Sequence, residues 1–186
     1  MSQLTVLIIR HAEKPEGSWP GPGLTDQGKE DSKSLVIRGW QRAGAWAALF
    51  GTSQSSPDYP TPAKIYAATP GSVDDGPSCR PLETVTPLAA RLGLQVNTRF
   101  AQGDELALVN GIVADSGVIL VCWEHKAIVE AILPAFPWQE GTPLTHWAGE
   151  RFDVVLRLDR LSLGEKFAFC QLMPCLLSGD SRSPMA

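Results

Sequence analysis

Two continuous apolar runs mark the chain, one from Leu4 to Ile9 and the other from Gly117 to Trp123. Neither run alternates with polar residues, which predicts β-strands that are covered on both faces. Three further strands are predicted at Lys64 to Ala67, Phe152 to Leu158, and Lys166 to Leu172. The last two are separated by only a short loop, so part of the sheet is expected to be antiparallel.

Apolar residues recur at helical spacing in four other segments. The longest runs from about Asp31 to Phe50 and ends at Gly51. Its apolar stripe consists of Val36, Trp40, Ala43, Ala47 and Phe50. Two short helices are also predicted, over Gly103 to Ile112 and over Lys126 to Leu133.

The remaining helix is predicted over Arg80 to Leu92, and it contains two prolines. Pro81 suits a first helical turn, whereas Pro87 predicts a kink or a restart with Thr86 as the cap. Gly93 is a natural C-terminal stop.

Alternating strands and helices predict an α/β fold, a three-layer αβα sandwich with a mostly parallel sheet and helices on both faces. The chain of 186 residues suits one domain, residues 1–186, because no internal repeat or domain linker interrupts it. The Ser/Pro-rich end, about residues 176–186, is predicted to be a flexible tail.

Composition narrows the possible partners and location. The net charge of -4 gives no electrostatic reason to expect nucleic acid or an anionic membrane as the main partner. No apolar run approaches the roughly 20 residues that span a bilayer, and Arg10 interrupts the first run before a signal peptide is formed. The four cysteines show no CxxC spacing, so we expect reduced thiols and a cytoplasmic protein.

Charged side chains follow the predicted strands where they end. Arg10 and His11 follow the first strand, His125 follows the run that ends at Trp123, and Arg80 begins a helix. Functional groups in α/β sheets gather at such ends. Two guanidinium groups and two imidazoles would form a local anion site of the kind that phosphoryl transfer requires, since arginine matches phosphate oxygens and histidine can carry a phosphoryl group.

Four segments together resemble the histidine phosphatase superfamily, the phosphoglycerate mutase-like, branch-one group. "LIIRHAEKP" resembles its arginine–histidine signature, and "GLTDQGKEDS" is similar to the segment after the first loop. "ATPGSVDDGPSCRPLETVTPLAARLGL" resembles the stretch with the second arginine, and "GVILVCWEHKAI" the strand that leads to the second histidine. The segments occur in the family's order, from Leu4 to Ile128. The resemblance implies a phosphoglycerate mutase-like sandwich.

The resemblance also implies a role for each site residue. His11 would be the nucleophile, Arg10 and Arg80 would hold the phosphate, and His125 would complete the pocket. The proton donor falls in "FAQGDELAL", where we favour Glu105 over Asp104. The expected activity is metal-independent hydrolysis of phosphate monoesters without a cofactor. The expected partner is a phosphorylated small molecule or, as a second option, a phosphoprotein; no nucleic acid or membrane partner is expected, and oligomeric state stays open.

The sequence leaves three alternative functions open. A phosphohistidine-protein phosphatase or a phosphomutase would use the same residues, and a catalytically silent phosphate-binding module would keep them without turnover. The sequence also departs from the family, because Glu124-His125-Lys126 replaces serine–histidine–glycine. The loop from Thr69 to Cys79 is also longer than the family's compact form.

Individual residues also have simpler interpretations. Arg80 would serve as an ion-pair partner of Glu83, Glu13 and Lys14 as a solvated loop pair, and His146 as a packing or loop residue. Trp40 and Trp46 are interpreted as core, whereas Trp19 and Trp123 flank predicted site loops and would shape substrate entry. Specificity is expected from three loops, Glu13 to Pro22, Thr69 to Cys79, and Trp138 to Ala148.

Overall fold

The two long apolar runs form neighbouring strands in the middle of one sheet. A computed structural model describes residues 3–52, 56–71, 76–140 and 144–186, and within these ranges the sheet has six strands in the order β3-β2-β4-β1-β5-β6. The strands are β1 (Leu4–Arg10), β2 (Lys64–Ala67), β3 (Val96–Asn97), β4 (Gly117–Trp123), β5 (Val155–Arg160) and β6 (Ala168–Leu172). Strands β3, β2, β4 and β1 are parallel, and β5 and β6 are antiparallel to their neighbours.

The helices are α1 (Ile37–Phe50), α2 (Arg80–Leu92), α3 (Glu105–Val113), α4 (His125–Ala127) and α5 (Leu133–Ala135). A π-helical segment, Ile128–Ile132, joins α4 to α5. The α/β sandwich fold is therefore confirmed, including its partly antiparallel sheet. Two of the loops from which specificity is expected, Thr69 to Cys79 and Trp138 to Ala148, lie partly outside the described residues, which do not include 72–75 and 141–143.

Helices cover both faces of the sheet, and successive side chains of β1 enter the two hydrophobic cores in turn. Leu4, Val6 and Ile8 pack with side chains of α3 and of the segment that joins α4 to α5. Leu7 and Ile9 pack on the other face with side chains of α1 and α2. The strand is apolar throughout because neither of its faces meets solvent.

Helix α1 begins six residues later than the pattern predicted. Leu24 forms isolated β-bridges with Glu30 and Leu35, and the backbone N–H of Leu24 donates to the carbonyl of Leu35 at 2.8 Å. Residues 31–36 therefore use their backbone groups in loop pairing. The apolar residues at Leu35 and Val36 are still fully buried.

Helix α2 runs without interruption from Arg80 to Leu92, so the predicted restart at Pro87 is wrong, while the alternative of a kink stays a prediction. Two hydroxyl groups of the helix also bond to carbonyls of the preceding turn. Thr84 Oγ1 donates to the Arg80 carbonyl at 2.7 Å, and Thr86 Oγ1 donates to the Leu82 carbonyl at 2.8 Å. Gly93 ends the helix with φ of 66°, as expected.

The C-terminal residues, expected to be a flexible tail, contact the domain at several points. Ser181 N–H donates to Asp153 Oδ2 at 2.8 Å, and Met185 N–H donates to Gln171 Oε1 at 2.8 Å. The Asp180 carboxylate accepts from Arg42, whose guanidinium also donates to Glu13. A buried ion-pair network therefore joins the tail to the loop that follows His11.

Candidate active site

His11 lies where β1 leaves the sheet, and backbone bonds fix it there. Its N–H donates to the Trp123 carbonyl at 3.0 Å, which aligns the ends of β1 and β4. The next residue, Ala12, donates its N–H to Thr84 Oγ1 at 2.8 Å and so ties the loop to α2. The strand exits meet because β1 and β4 are parallel neighbours, with Arg10 opposite Trp123.

The imidazole of His11 is buried and has a defined hydrogen bond. Nδ1 lies 2.8 Å from the Ala12 carbonyl, which can only accept, so Nδ1 carries the proton and Nε2 keeps its lone pair in the neutral ring. Burial, followed by the nearby Arg10 charge, lowers the pKa of His11 to about 3. His11 is therefore a neutral imidazole at physiological pH.

A small cavity of about 60 Å³ opens beside His11. It is lined by His11, Ala68, Pro77, Ser78, Arg80, Pro81, Gln102, Trp123 and Glu124. By volume it has room for a few water-sized groups, since one water needs about 10–15 Å³ of such space. The structure therefore brings His11 and Arg80, predicted from distant segments, to one phosphate-sized cavity.

The Arg80 side chain is held by backbone carbonyls. Nη2 donates to the Ser32 carbonyl at 2.6 Å, and Nε donates to the Ser34 carbonyl at 3.2 Å. Glu83 does not form an ion pair with it; its carboxylate accepts from the Leu35 N–H at 2.9 Å. Arg80 is thus oriented by the loop before α1, and the nearby Glu83 charge acts on it without direct contact.

Arg10 is buried under an aromatic ring, outside the cavity lining. Nη1 donates to the Gly149 carbonyl at 2.6 Å, and Cζ lies 3.9 Å from the centre of the Phe152 ring. Burial lowers the pKa of Arg10 to about 10, partly offset by the Glu124 and Glu13 charges. Among the described residues its Nε has no hydrogen-bond partner, which is unusual for a buried donor. Its role as a phosphate ligand stays a prediction.

His125 begins α4 and does not line the cavity, whereas the preceding residue, Glu124, does. The Nδ1 atom of His125 lies 2.6 Å from Glu124 Oε1. Burial would raise the pKa of Glu124, but bonding from His125 and from the backbone N–H groups of Ala127 and Lys126 lowers it to about 2. The cavity wall is therefore formed by an ionised Glu124 and not by His125, whose predicted role stays untested.

The two candidate proton donors differ in burial. Asp104 is exposed and accepts from the Ala101 N–H at 3.0 Å, as a local turn residue does. Glu105 is buried, and it accepts from the Trp123 indole Nε1–H at 2.9 Å and from the Gly103 N–H at 3.1 Å. Trp123 lines the cavity, so its indole connects Glu105 to the site. The choice of Glu105 over Asp104 as the proton donor stays a prediction.

The other residues considered from the sequence lie outside the lining of the His11 cavity. Glu13 is buried and bound to Arg42, not a solvated loop residue, while Lys14 is exposed. Trp19 stacks under Arg38, with Cζ 4.2 Å from the ring centre, and does not line the His11 cavity. Trp46 belongs to the core, Trp40 is half-buried, and His146 is exposed in a loop.

Three polar residues of the cavity lining, Ser78, Gln102 and Glu124, were not predicted as ligands. Ser78 and Gln102 lie in loops of ordinary polar composition, where nothing in the pattern marks a ligand. Glu124 did carry a signal, because it stands where the family has serine. Side chains on irregular loops are oriented by tertiary packing, which sequence periodicity does not encode.

Across the described ranges, no three His, Cys, Asp or Glu side chains come together in a group suited to a metal ion. In those same parts of the chain, no helix combines the length and apolar character needed to cross a bilayer. All four cysteines are free thiols.

Solved structures share this architecture. One is the protein histidine phosphatase SixA in complex with tungstate, with a TM-score of 0.58 and 13% sequence identity over 92% of this chain and 97% of that chain. The chain has the SixA histidine phosphatase fold. A protein named mycobacterial hydrolase 2 gives a TM-score of 0.54 at 16% identity, over 92% of this chain and 90% of that one.

A protein from Agrobacterium tumefaciens, provisionally described as the phosphohistidine phosphatase SixA, has the same fold. Its TM-score is 0.51 at 16% identity, over 90% of this chain and 97% of that chain. No protein-family model and no curated protein matches the sequence. At such low identity, the likeness to this histidine phosphatase fold concerns architecture, and the chemistry has to be argued from the site.

Proposed function

We propose that this chain is a histidine-type phosphatase that hydrolyses phosphate monoesters through a phosphohistidine on His11. The observation that carries the proposal is the state of His11 itself. Its Nδ1 is committed to the Ala12 carbonyl at 2.8 Å, and its lowered pKa keeps the ring neutral. A neutral imidazole with Nε2 unprotonated is the form of histidine that attacks phosphorus.

The reaction proceeds in two balanced steps. In the first, the Nε2 lone pair forms a bond to phosphorus, the phosphorus–oxygen bond to the leaving group breaks, and the leaving oxygen takes a proton from Glu105. In the second, water attacks phosphorus and gives a proton to the Glu105 carboxylate. The phosphorus–nitrogen bond then breaks, its electron pair returns to Nε2, and phosphate is released.

Positive charge around the cavity stabilises the transferring group. Arg80 lines the cavity, and the buried Arg10 precedes the nucleophile directly. The Arg80 guanidinium donates to the phosphoryl oxygens, whereas Arg10 lies outside the cavity lining and contributes its charge beside His11. Arg10 Nε has no hydrogen-bond partner among the described residues. His125 supplies a further donor near the same strand end. Neither a metal ion nor a cofactor takes part in the proposed steps.

A phosphohistidine-protein phosphatase is the second candidate, and Glu124 favours it. This carboxylate on the cavity wall is ionised, with a pKa lowered to about 2, so it opposes an anionic leaving group and attracts a cationic one. The leaving imidazole of a phosphohistidine substrate can be protonated, and two similar structures are described as histidine phosphatases.

The test is mass spectrometry after rapid quench with 4-nitrophenyl phosphate, under alkaline conditions that preserve phosphohistidine. We expect a phosphoryl group on His11, with nitrophenol release lost in His11→Ala and retained in His146→Ala, which removes an exposed histidine. Equal release from wild type and His11→Ala would overturn the nucleophile assignment. Phosphate binding without adduct or turnover would indicate a silent binding module.

Glu105→Gln separates the two candidates. Hydrolysis of a monoester needs a proton for its leaving oxygen, so the variant should lose roughly a hundredfold or more in rate on an aryl phosphate of poor leaving ability. A leaving nitrogen that is already protonated needs no such help. Unchanged turnover of phosphoramidate in the same variant would favour the phosphohistidine phosphatase.

A further inference from the structure

A second, larger cavity adjoins the one beside His11. It has a volume of about 310 Å³ and is lined by Lys14, Pro15, Glu16, Ser32, Lys33, Ser78 and Arg80. Ser78 and Arg80 line both cavities, so the two spaces share a wall. The His11 cavity, at about 60 Å³, accommodates little beyond a phosphoryl group, and the rest of a substrate must occupy a neighbouring space.

The second cavity is positively charged in a protein that is acidic overall. Lys14, Lys33 and Arg80 face one acid, Glu16, whereas the whole chain carries a net charge of -4. Within the part of the chain that the structure describes, neither lysine has a carboxylate within ion-pair distance. A local concentration of unpaired cations attracts an anion despite the opposite net charge.

Backbone hydrogen bonds hold Lys33 beside Arg80. The Lys33 carbonyl accepts from the Cys79 N–H at 3.2 Å and from Ser78 Oγ at 3.3 Å. On either side of it, the carbonyls of Ser32 and Ser34 accept from the Arg80 guanidinium. The backbone of Lys33 is therefore held beside Arg80 before any ligand arrives, which lowers the entropic cost of binding.

We propose that the substrate of His11 is a small phosphorylated molecule with a second anionic group, a carboxylate or another phosphate, which binds between Lys14 and Lys33. The proposal rests on the phosphatase function proposed above and names its substrate class. A volume of about 310 Å³ matches a small molecule. Lysine ammonium groups bind either anion as point charges, without requiring the planar geometry of a guanidinium contact.

Two isosteric substrates test the charge directly, 3-carboxyphenyl phosphate and 3-carbamoylphenyl phosphate. We expect wild type to prefer the carboxylate by roughly tenfold or more in kcat/KM. The double variant Lys14→Ala/Lys33→Ala should abolish this preference, because it lowers turnover of the carboxylate substrate more than that of the carbamoyl substrate. The matched control, Lys64→Ala/Lys166→Ala, removes two exposed cations that line neither cavity and should keep the preference.

The outcomes separate this proposal from the proposed function. Equal kcat/KM for both substrates in wild type would overturn the anionic subsite and leave the phosphatase intact. Absence of turnover and of phospho-His11 would overturn the phosphatase, and calorimetric binding then still tests the subsite. Pyrophosphate should bind more tightly than inorganic phosphate, and only pyrophosphate should lose affinity in Lys14→Ala/Lys33→Ala; equal losses for both anions would overturn the subsite.

Discussion

The Thr84 hydroxyl joins Ala12 to Arg80. Thr84 Oγ1 accepts from the Ala12 N–H at 2.8 Å and donates to the Arg80 carbonyl at 2.7 Å. One buried side chain therefore sets the distance between the residue after the proposed nucleophile and the start of the helix that carries Arg80. The hydroxyl acts as an acceptor in one of these bonds and as a donor in the other, so an apolar residue of the same shape would lose both.

Thr84→Val should weaken both stability and activity. The shape of the side chain is kept, but the buried Ala12 N–H loses its acceptor, which costs about 1–3 kcal/mol. We expect the free energy of unfolding to fall by that amount in urea titrations and kcat/KM on an aryl phosphate to fall by roughly tenfold. Thr86→Val is the control, since Thr86 bonds only to Leu82 on an exposed part of the same helix. Similar losses in both variants would contradict the connecting role of Thr84.

Gly39→Ala should disturb the loop after His11. A Cβ at this position in α1 would lie 2.5 Å from the Glu13 carbonyl oxygen, so helix or loop must move. Overpacking of this kind costs about 1–3 kcal/mol, and we expect slower phosphorylation of His11 along with the lower melting temperature.

Gly44→Ala provides the comparison for that prediction. Gly44 lies in the same helix, and a Cβ there meets nothing within 4 Å. Alanine favours a helix over glycine by about 1 kcal/mol, so this variant should be as stable as wild type or more stable. A Gly39→Ala protein as stable and active as Gly44→Ala would show that the loop tolerates displacement.

The lowered pKa of His11 predicts a specific pH dependence of stability. The unfolded state binds a proton on His11 below its ordinary pKa of 6.5, whereas the folded state resists protonation until about pH 3. The contribution of neutral His11 to the free energy of unfolding is therefore fully present above pH 6.5 and is lost as pH falls toward 3. The steepest loss from this group is on the order of 1 kcal/mol per pH unit.

Urea unfolding between pH 4 and pH 7.5 measures this dependence. The free energy of unfolding of His11→Gln should fall less steeply with decreasing pH than that of wild type. His146→Gln, which changes an exposed histidine, should follow wild type. Parallel curves for wild type and His11→Gln would mean that His11 titrates normally in the folded protein.

Glu124→Gln should strengthen anion binding. The ionised carboxylate on the cavity wall opposes a phosphate dianion, and glutamine removes the charge while keeping an acceptor for the Ala127 N–H. We expect the dissociation constant of inorganic phosphate to fall by roughly tenfold, which corresponds to about 1.4 kcal/mol. Glu130→Gln, an exposed change outside the cavity, should leave it unchanged. Unchanged or weaker binding to Glu124→Gln would indicate that Glu124 does not face the bound anion.

The sequence by itself determined five of the six strands, most helices and the sheet edge where the candidate site lies. Burial on both faces requires a continuous apolar run, so β1 and β4 were visible directly, and parallel pairing brings Arg10, His11 and His125 to one edge. The two-residue strand β3 was missed, because so short a segment has no periodicity to detect. The start of α1 was placed too early, because an apolar stripe does not distinguish a helix from a loop that pairs with Leu24.

Only the tertiary structure decided how the side chains are used. The tautomer of His11, the Glu124 face of the cavity, and the Phe152 ring over Arg10 each depend on contacts made after the chain is folded. Thr84 meets Ala12 across 72 positions of the sequence, and Arg42 meets Asp180 across 138. Local patterns record which face of an element is buried, whereas partners so far apart are selected by the packing of whole elements against one another.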